Sequence, residues 1–518
     1  MKKKSVAGSI SLVMIIMIFS RLLALLSTQI YLSFFGAGGQ EINIYSYAIS
    51  VPNIVFNCFG TAIATVVIPI YAGHIARNEH GKAKYFADNL ITITLALTSV
   101  LVILGMAVSL VLPKFTAFAD TPQDYAFAVK ALMIMMPVMI FYALNYIFQG
   151  MLQSIGKYNW PAFVSVPSSL AVILYVLLLG DKFGVTGLLF ATFFGLALQA
   201  LILIPPLFSA GYRYKPSFKL KDEDIKNAGK MTLPVMLGVS AYQFNMFYNV
   251  TMIANFKGMV TLLTYVQNIT LYMVLAFVYS ITAVIYPKLT EQAAVNDMSG
   301  YKKTLTDITK TIIALLLPVT FGFLAVRYRL LELIAKWGQI TGDDIEAASK
   351  LLMMYSVGIT AVGIKEVYDR AFYAIKNTWI PAANGFVIMA VNIALSLSLT
   401  RVIDAYGIPL AYSAASIIGA CVLLAALRKK IGAYGKGIPV FFIKCLLSAL
   451  IMFAVVYFED LKLNTIFAAD TLLFRIIKLF IPCITGVIVY GICGLIFKID
   501  YITSIFNKIL RRGYVEKN

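Results

Sequence analysis

The sequence predicts an all-α polytopic membrane protein of about 14 transmembrane helices: two pseudo-symmetric six-helix lobes plus two extra C-terminal helices. Three observations predict this. Hydrophobic residues make up 60% of the 518-residue chain and charged residues 13%, against roughly half and a quarter in a soluble domain. The apolar residues fall into runs of about 20 or more, the length that crosses a bilayer, separated by short polar breaks. The chain also repeats itself at an offset of about 220 residues.

The runs lie at 6–33, 41–73, 87–113, 124–154, 159–180, 184–209, 229–255, 259–290, 305–327, 347–375, 379–401, 406–428, 438–458 and 472–497. The first follows Met1-Lys2-Lys3-Lys4. It is too long for a signal peptide and has no small-residue cleavage site, so it reads as a retained span with its N-terminus inside. The second ends near Pro69, before a polar stretch and Gly81-Lys82; the eighth ends near Pro287, before a polar stretch and Gly300-Tyr301. The fifth and eleventh open at FQGMLQSIGKYNWPA (148–162) and DRAFYAIKNTWIPA (369–382), which match around Trp160-Pro161 and Trp379-Ile380-Pro381. Gly184 and Gly407 open the spans that follow. An even number of spans separates the copies, so the lobes share an orientation. Parallel repeats of this kind mark transporters that hold cargo between two lobes. The expected divisions are an N-lobe at 1–220, a C-lobe at 221–432, and at 433–518 the two unpaired spans with a basic tail.

Lysine and arginine number 43 against 24 acidic residues, a net charge of +19. The bases sit in alternate short loops: Lys2–Lys4; Arg77, Lys82 and Lys84; Arg213, Lys215, Lys219 and Lys221; Lys302 and Lys303; Arg428–Lys430; Arg511 and Arg512. The other loops carry Asp120, Asp124, Asp343, Asp344, Glu346, Glu459 and Asp460. This is the positive-inside pattern rather than a nucleic-acid surface, and it puts both termini in the cytoplasm. The five cysteines form no CxxC or Cys/His cluster, so neither a disulfide framework nor a zinc site is expected. The two histidines, His74 and His80, are expected in one polar loop. With no histidine expected in the membrane and the acids in loops or beside bases, an embedded transferase lacks its acid–base groups.

The polar residues inside the spans are therefore informative. Arg21 sits mid-span in the first run, at a cost of roughly 2.5–3.5 kcal/mol on insertion scales. Ser27 and Thr28 follow on about the same face. The second span holds Asn43, Asn53 and Asn57, the last two one helical turn apart. Span seven carries Gln243, Asn245 and Asn249, and span eight Gln267 and Asn268. By the repeat, spans 1, 2, 7 and 8 correspond, so these helices are expected to line one cavity, with helix–helix hydrogen bonding as the other use of such amides. Span ten ends in Lys365, Glu366, Asp369 and Arg370. Lys365/Asp369 and Glu366/Arg370 are opposite charges one turn apart, expected as gate or structural ion pairs.

SRLLALLSTQIYLSFFGAG (20–38), YAISVPNIVFNCFGTAIATVVIPIYAGHIA (47–76), TAVIYPKLTEQAA (282–294) and DRAFYAIKNTWIP (369–381) together resemble the MurJ/MviN lipid II flippases of the multidrug/oligosaccharidyl-lipid/polysaccharide exporter superfamily. The resemblance covers nearly the whole chain. It implies two six-helix lobes around a cavity open to one side at a time, a groove from spans 13 and 14 for a polyprenyl tail, and lipid II as cargo. Within it the family's first-span arginine matches Arg21. Its next Arg-Asp pair falls on Ser27 and Thr28, its second-span aspartate on Asn43, and its following arginine near Asn57, with Pro52-Asn53 retained. The Asp-Arg of span eight falls on Gln267 and Asn268, while Gln243 and Asn245 keep the Gln-x-Asn pattern. The positions used toward sodium fall on Asn249, Asn392 and Ser396. The cavity thus keeps hydrogen-bonding groups and loses most formal charge.

The resemblance implies a flippase of the bacterial cytoplasmic membrane that moves lipid II from the inner to the outer leaflet by alternating access. No covalent chemistry and no cofactor are expected, and a sodium ion or the membrane potential supplies the drive. The expected partners are lipid II or a related undecaprenyl-pyrophosphate-linked substrate and membrane lipids; the chain is expected to be monomeric and in contact with cell-wall synthases. Another undecaprenyl-linked glycan or an amphiphilic drug stays open as cargo.

Overall fold

The computed structural model describes residues 6–335, 338–466, 471–499 and 503. Among these residues the regular structure is helical. In chain order it comprises α1 (Val6–Phe35), α2 (Gln40–Ala76), α3 (His80–Val108), α4 (Pro122–Met135), α5 (Val138–Ser154), α6 (Asn159–Phe163), α7 (Val166–Leu201), α8 (Ile204–Ser209), α9 (Glu223–Ile253), α10 (Met259–Ala294), α11 (Met298–Ala335), α12 (Gly342–Ser356), α13 (Ile359–Ala374), α14 (Trp379–Ile403), α15 (Gly407–Ile431), α16 (Ile438–Ile466) and α17 (Leu472–Ile496). In lipid no water pairs the backbone, so an apolar run closes its own hydrogen bonds as helix. Lys2–Lys4, Arg511 and Arg512 lie outside the described residues.

The stretches read from the sequence are helical, with altered bounds. The run at 124–154 is α4 plus α5, and that at 347–375 is α12 plus α13, bent by 43°. By length and apolarity alone, seven stretches among the described residues qualify as spans, or eight with that bent pair. Two of the seven, Asn159–Ser209 and Trp379–Ile431, contain a reversal of the chain. Inside α7, Gly184 has φ 55° and ψ −150°, a conformation open chiefly to glycine. Across that point Gln199 Nε2 donates to Ser168 Oγ at 2.5 Å, and Tyr175 Oη to the Gly184 carbonyl at 2.6 Å. Residues on the two arms thus meet in reverse order, as an antiparallel pair must. Between α14 and α15 the chain turns at Asp404, φ 50°. There a Cβ on Gly407 would stand 2.6 Å from Leu399 and Thr400 backbone atoms, so only glycine admits this close approach.

The chain forms two contact-defined units, 1–261 with 337–340, and 262–336 with 341–518. In the first, α2 is the spine, packing against α9, α5, α4 and α3. Its 37 residues hold Pro52 and Pro69 and extend about 55 Å at 1.5 Å per residue. Ile63, Val67 and Tyr71 of α2 bury with Phe86 of α3, Met151 of α5 and Leu203. The segment after α11 docks here, Gln339 N donating to the Ser33 carbonyl at 2.7 Å. The repeat puts a boundary at 220, whereas contacts put it after Thr261, because α9 lies antiparallel along α2. Tyr47 Oη meets Thr251 Oγ1 at 3.2 Å, and Cys58 meets Ser240 eleven residues further along each helix in opposite directions.

In the second unit α11 is the spine, packing against α16, α12, α13 and α17. Ile313 and Leu317 bury with Phe441, Cys445, Met452, Leu479 and Tyr490. Tyr490 Oη donates to the Ala314 carbonyl at 3.1 Å and Thr485 Oγ1 to Glu459 at 3.0 Å. The last two helices are therefore fastened to α11 and to each other.

Candidate functional site

The predicted site residues divide between the two units. In the first, Arg21 is the single charged residue of α1 and is exposed. Six residues on, Ser27 is buried, and half-buried Thr28 returns its hydroxyl to the Ala24 carbonyl at 3.1 Å. Beyond them Tyr31 packs edge-on to Tyr45 at 5.5 Å, and Tyr45 Oη meets Thr192 Oγ1 at 2.7 Å.

Asn53 and Asn57 share one face of α2, as their spacing predicts. Asn57 Nδ2 donates to Asn53 Oδ1 at 2.9 Å, and Asn57 Oδ1 accepts from Tyr146 Oη at 2.9 Å. Tyr142 hydrogen-bonds Asn53, and Phe56 stacks between the two tyrosines at 6.0 Å from each. The result is a neutral amide–tyrosine ladder joining α2 to α5, all four of its members half-buried. By the α2–α9 register Asn245 lies level with Asn53. Gln243, Asn245 and Asn249 are all buried.

Asn43 has a different place. It is 1% exposed, its Nδ2 donates to the Ala37 and Gly39 carbonyls at 3.2 and 2.7 Å, and its Oδ1 accepts from Thr261 N at 3.0 Å. Every amide atom holds the α1–α2 joint against the start of α10, where helix N–H groups lack partners of their own. We therefore reassign it from cargo contact to structure. Asn43→Ala is expected to lower stability by about 2–3 kcal/mol, near 1 kcal/mol for each lost bond, seen as a lower Tm of the purified chain. An unchanged Tm with lost transport would return Asn43 to the cargo.

In the second unit Gln267 is buried with Nε2 lacking a hydrogen-bond partner, and Asn268 is half-buried. Asn392 and Ser396 are fully buried one turn apart on α14. Lys365 Nζ lies 2.6 Å from Asp369 Oδ2 and 3.8 Å from Glu366, as expected of a local ion-pair group. Arg370 does not complete the expected second pair. Its guanidinium stands 6.0 Å from the Tyr286 ring centre, where the ring face attracts a cation.

Three constellations escaped the sequence reading. His74 is not in a polar loop: it is buried in the last turn of α2, and His80 opens α3. His74 Nδ1 faces Glu79 at 2.9 Å and Nε2 faces Asp224 of α9 at 2.8 Å. The Lys82 ammonium, then His74, hold the Glu79 carboxyl down at about 2. Arg329 of α11 binds Glu332 and Asp460 at 2.9 and 2.7 Å. On α5, Gln149 Nε2 donates to Asn145 Oδ1 at 2.9 Å, and Asn145 Nδ2 to Gln199 Oε1 at 3.3 Å. The Asn145/Gln149 spacing repeats that of Asn53/Asn57 and was a readable signal.

The family model described as "Lipid II flippase MurJ" matches residues 31–478. The Haemophilus influenzae protein named "Probable lipid II flippase MurJ" is 25% identical over 496 residues, spanning 92% of this chain and 96% of that one. The solved structure "Lipid II flippase MurJ, inward closed conformation" aligns with a TM-score of 0.78 at 23% identity, covering 95% of this chain and 99% of its own. An inward-facing multidrug resistance MATE family transporter of the MOP superfamily aligns at a TM-score of 0.65 and 15% identity, over 79% of this chain and 94% of its own. The two structures establish a shared fold. The family match spans most of the chain and agrees with its apolar helices: this multi-pass membrane protein belongs to the MurJ lipid II flippase family.

Proposed function

We propose that the chain moves lipid II from the inner to the outer leaflet of the bacterial cytoplasmic membrane by alternating access, with both termini cytoplasmic. The observation that carries the mechanism is Arg21, one exposed cation in an otherwise uncharged helix of the unit that also holds the Asn53–Asn57 ladder. Arg21 supplies charge-assisted hydrogen bonds to the diphosphate. Neutral amides and hydroxyls take the sugars, whose own hydroxyls both donate and accept. The tail stays in lipid, for which α16 and α17 are the assigned groove. No bond is made or broken, so the activity is transport rather than catalysis, performed by one copy of the chain, with cell-wall synthases as its neighbours.

Sodium is a poor fit as the driving ion. Asn249, Asn392 and Ser396 offer neutral oxygens, which can ligate sodium but compensate its charge less than a carboxylate would. We assign the drive to the membrane potential.

The test is depletion of the protein in its host, scoring lipid II exposed on the outer leaflet. Wild type is expected to restore exposure, and Arg21→Ala to restore about tenfold less or lower still, the worth of one charge-assisted bond. Unchanged lipid II exposure on depletion would sink the cargo assignment and move it to another undecaprenyl-linked glycan.

A further inference from the structure

Between α8 and α9 the chain runs from Tyr212 to Leu220 without helix, yet it is firmly held. Tyr212 Oη donates to Asp88 Oδ1 at 2.7 Å, and Lys215 N to the same oxygen at 3.2 Å. Ser217 N donates to Thr92 Oγ1 at 3.2 Å. Lys219 N donates to Asn89 Oδ1 at 2.7 Å, and Asn89 Nδ2 returns a bond to the Lys219 carbonyl at 2.9 Å. Three polar side chains of α3 thus replace the missing backbone partners of an extended strap. Burial and the Asp88 carboxylate push the Tyr212 hydroxyl far above its usual titration, so it stays a donor.

The strap's outer face is unusual. Tyr214, Phe218 and Leu220 are 41%, 58% and 57% exposed, with Phe208 just before them at 46%. Arg213, Lys215, Lys219 and Lys221 are interleaved and exposed. Among the described residues none of these four bases lies within ion-pair distance of a carboxylate, whereas neighbouring Lys82 and Lys84 pair with Glu79 and Asp88. Two of the four instead stand by aromatic faces, Arg213 over Phe208 at 4.4 Å and Lys219 near Tyr85 at 5.8 Å.

Position along α3 identifies the occupant. Leu97, Val100, Ile103 and Leu104 are exposed on α3, a helix long and apolar enough to cross a bilayer, and so face lipid. Thr92, where the strap is fastened, lies about 17 Å along the axis from Ile103 at 1.5 Å per residue. The exposed apolar residues of this stretch run from Leu97 to Val111 and centre beside Ile103, so Thr92 lies roughly half the hydrocarbon thickness from their middle and the strap falls at headgroup depth. Aromatic rings and bases at that depth match the interface, and uncompensated cations there match anionic lipid.

We propose that the strap 212–221 is a docking surface for anionic phospholipid headgroups of the phosphatidylglycerol class, in the leaflet it faces. Its backbone bonds pre-order it, so little chain entropy is lost when lipid binds. The inference is independent of the cargo.

The test uses the full chain in phosphatidylcholine bilayers, with Phe218→Trp as the reporter and Trp160, Trp337 and Trp379 changed to Phe. Brominated phosphatidylglycerol is expected to quench Trp at least about threefold more than brominated phosphatidylcholine at equal mole fraction, because four bases enrich the anionic lipid. Changing Arg213, Lys215, Lys219 and Lys221 together to Gln is expected to abolish the excess. The backbone bonds to α3 survive that change, and an unaltered unquenched emission spectrum checks it. Equal quenching by the two lipids, or an excess that survives the four substitutions, overturns the proposal. Loss of the excess on adding undecaprenyl diphosphate at one equivalent would also overturn it, making the strap a cargo-capture surface.

Discussion

Arg329→Ala is expected to cost about 3–5 kcal/mol of stability, the price of breaking a buried charge group from one side. Arg329 side-chain exposure is 6%, and it ties Glu332 in its own helix to Asp460 of α16. Without it, two partly buried carboxylates lose the guanidinium they share. Arg329→Lys restores only part, since an ammonium lacks the planar fork that reaches both partners. The Asp460→Ala change is milder, because the Arg329–Glu332 pair persists. Thermal unfolding of the purified chain checks the order: Tm lowest for Arg329→Ala, then Arg329→Lys and Asp460→Ala. Equal Tm values for wild type and Arg329→Ala would show that the group carries no load between α11 and α16.

Lys365→Ala is expected to cost a similar about 3–5 kcal/mol. Asp369 is buried, its Oδ2 is held by Lys365, and its Oδ1 is buried with no hydrogen-bond partner. Removing the lysine strands that carboxylate beside Glu366. The double change Lys365→Ala/Asp369→Ala removes the stranded charge with its partner and is expected to be the more stable of the two. A double-mutant cycle should give a coupling of about 1–3 kcal/mol, as for neighbours that act as a unit. Additive single effects would reduce the pair to a surface-like contact.

The two ion groups differ in how readable they were. Lys365 and Asp369 are four residues apart on α13, so helical periodicity alone brings them together. Arg329 and Asp460 are 131 residues apart, and nothing local links them. The amides divide the same way. Asn53 and Asn57 were legible as one face of α2, but not that Tyr142 and Tyr146 complete their ladder. Asn43 was legible as polar and inside a span, but its partner is Thr261, 218 residues away. His74 looked like a loop residue because its flanking sequence is polar. Its burial comes from α9, whose Asp224 meets it 150 residues later.

What the chain alone determines is what lipid imposes on any sequence: apolar runs long enough to cross must be helical, and breaks such as Gly184 and Gly407 end them. Those are local rules, readable within a few helical turns. What only the tertiary structure decided is which polar group answers which: Asn43 with Thr261, His74 with Asp224, Arg329 with Asp460, and the strap 212–221 with α3. These pairings follow from the packing register of helices distant in sequence. A buried polar group must find a partner, but its type does not specify which of many donors and acceptors the packing will bring beside it.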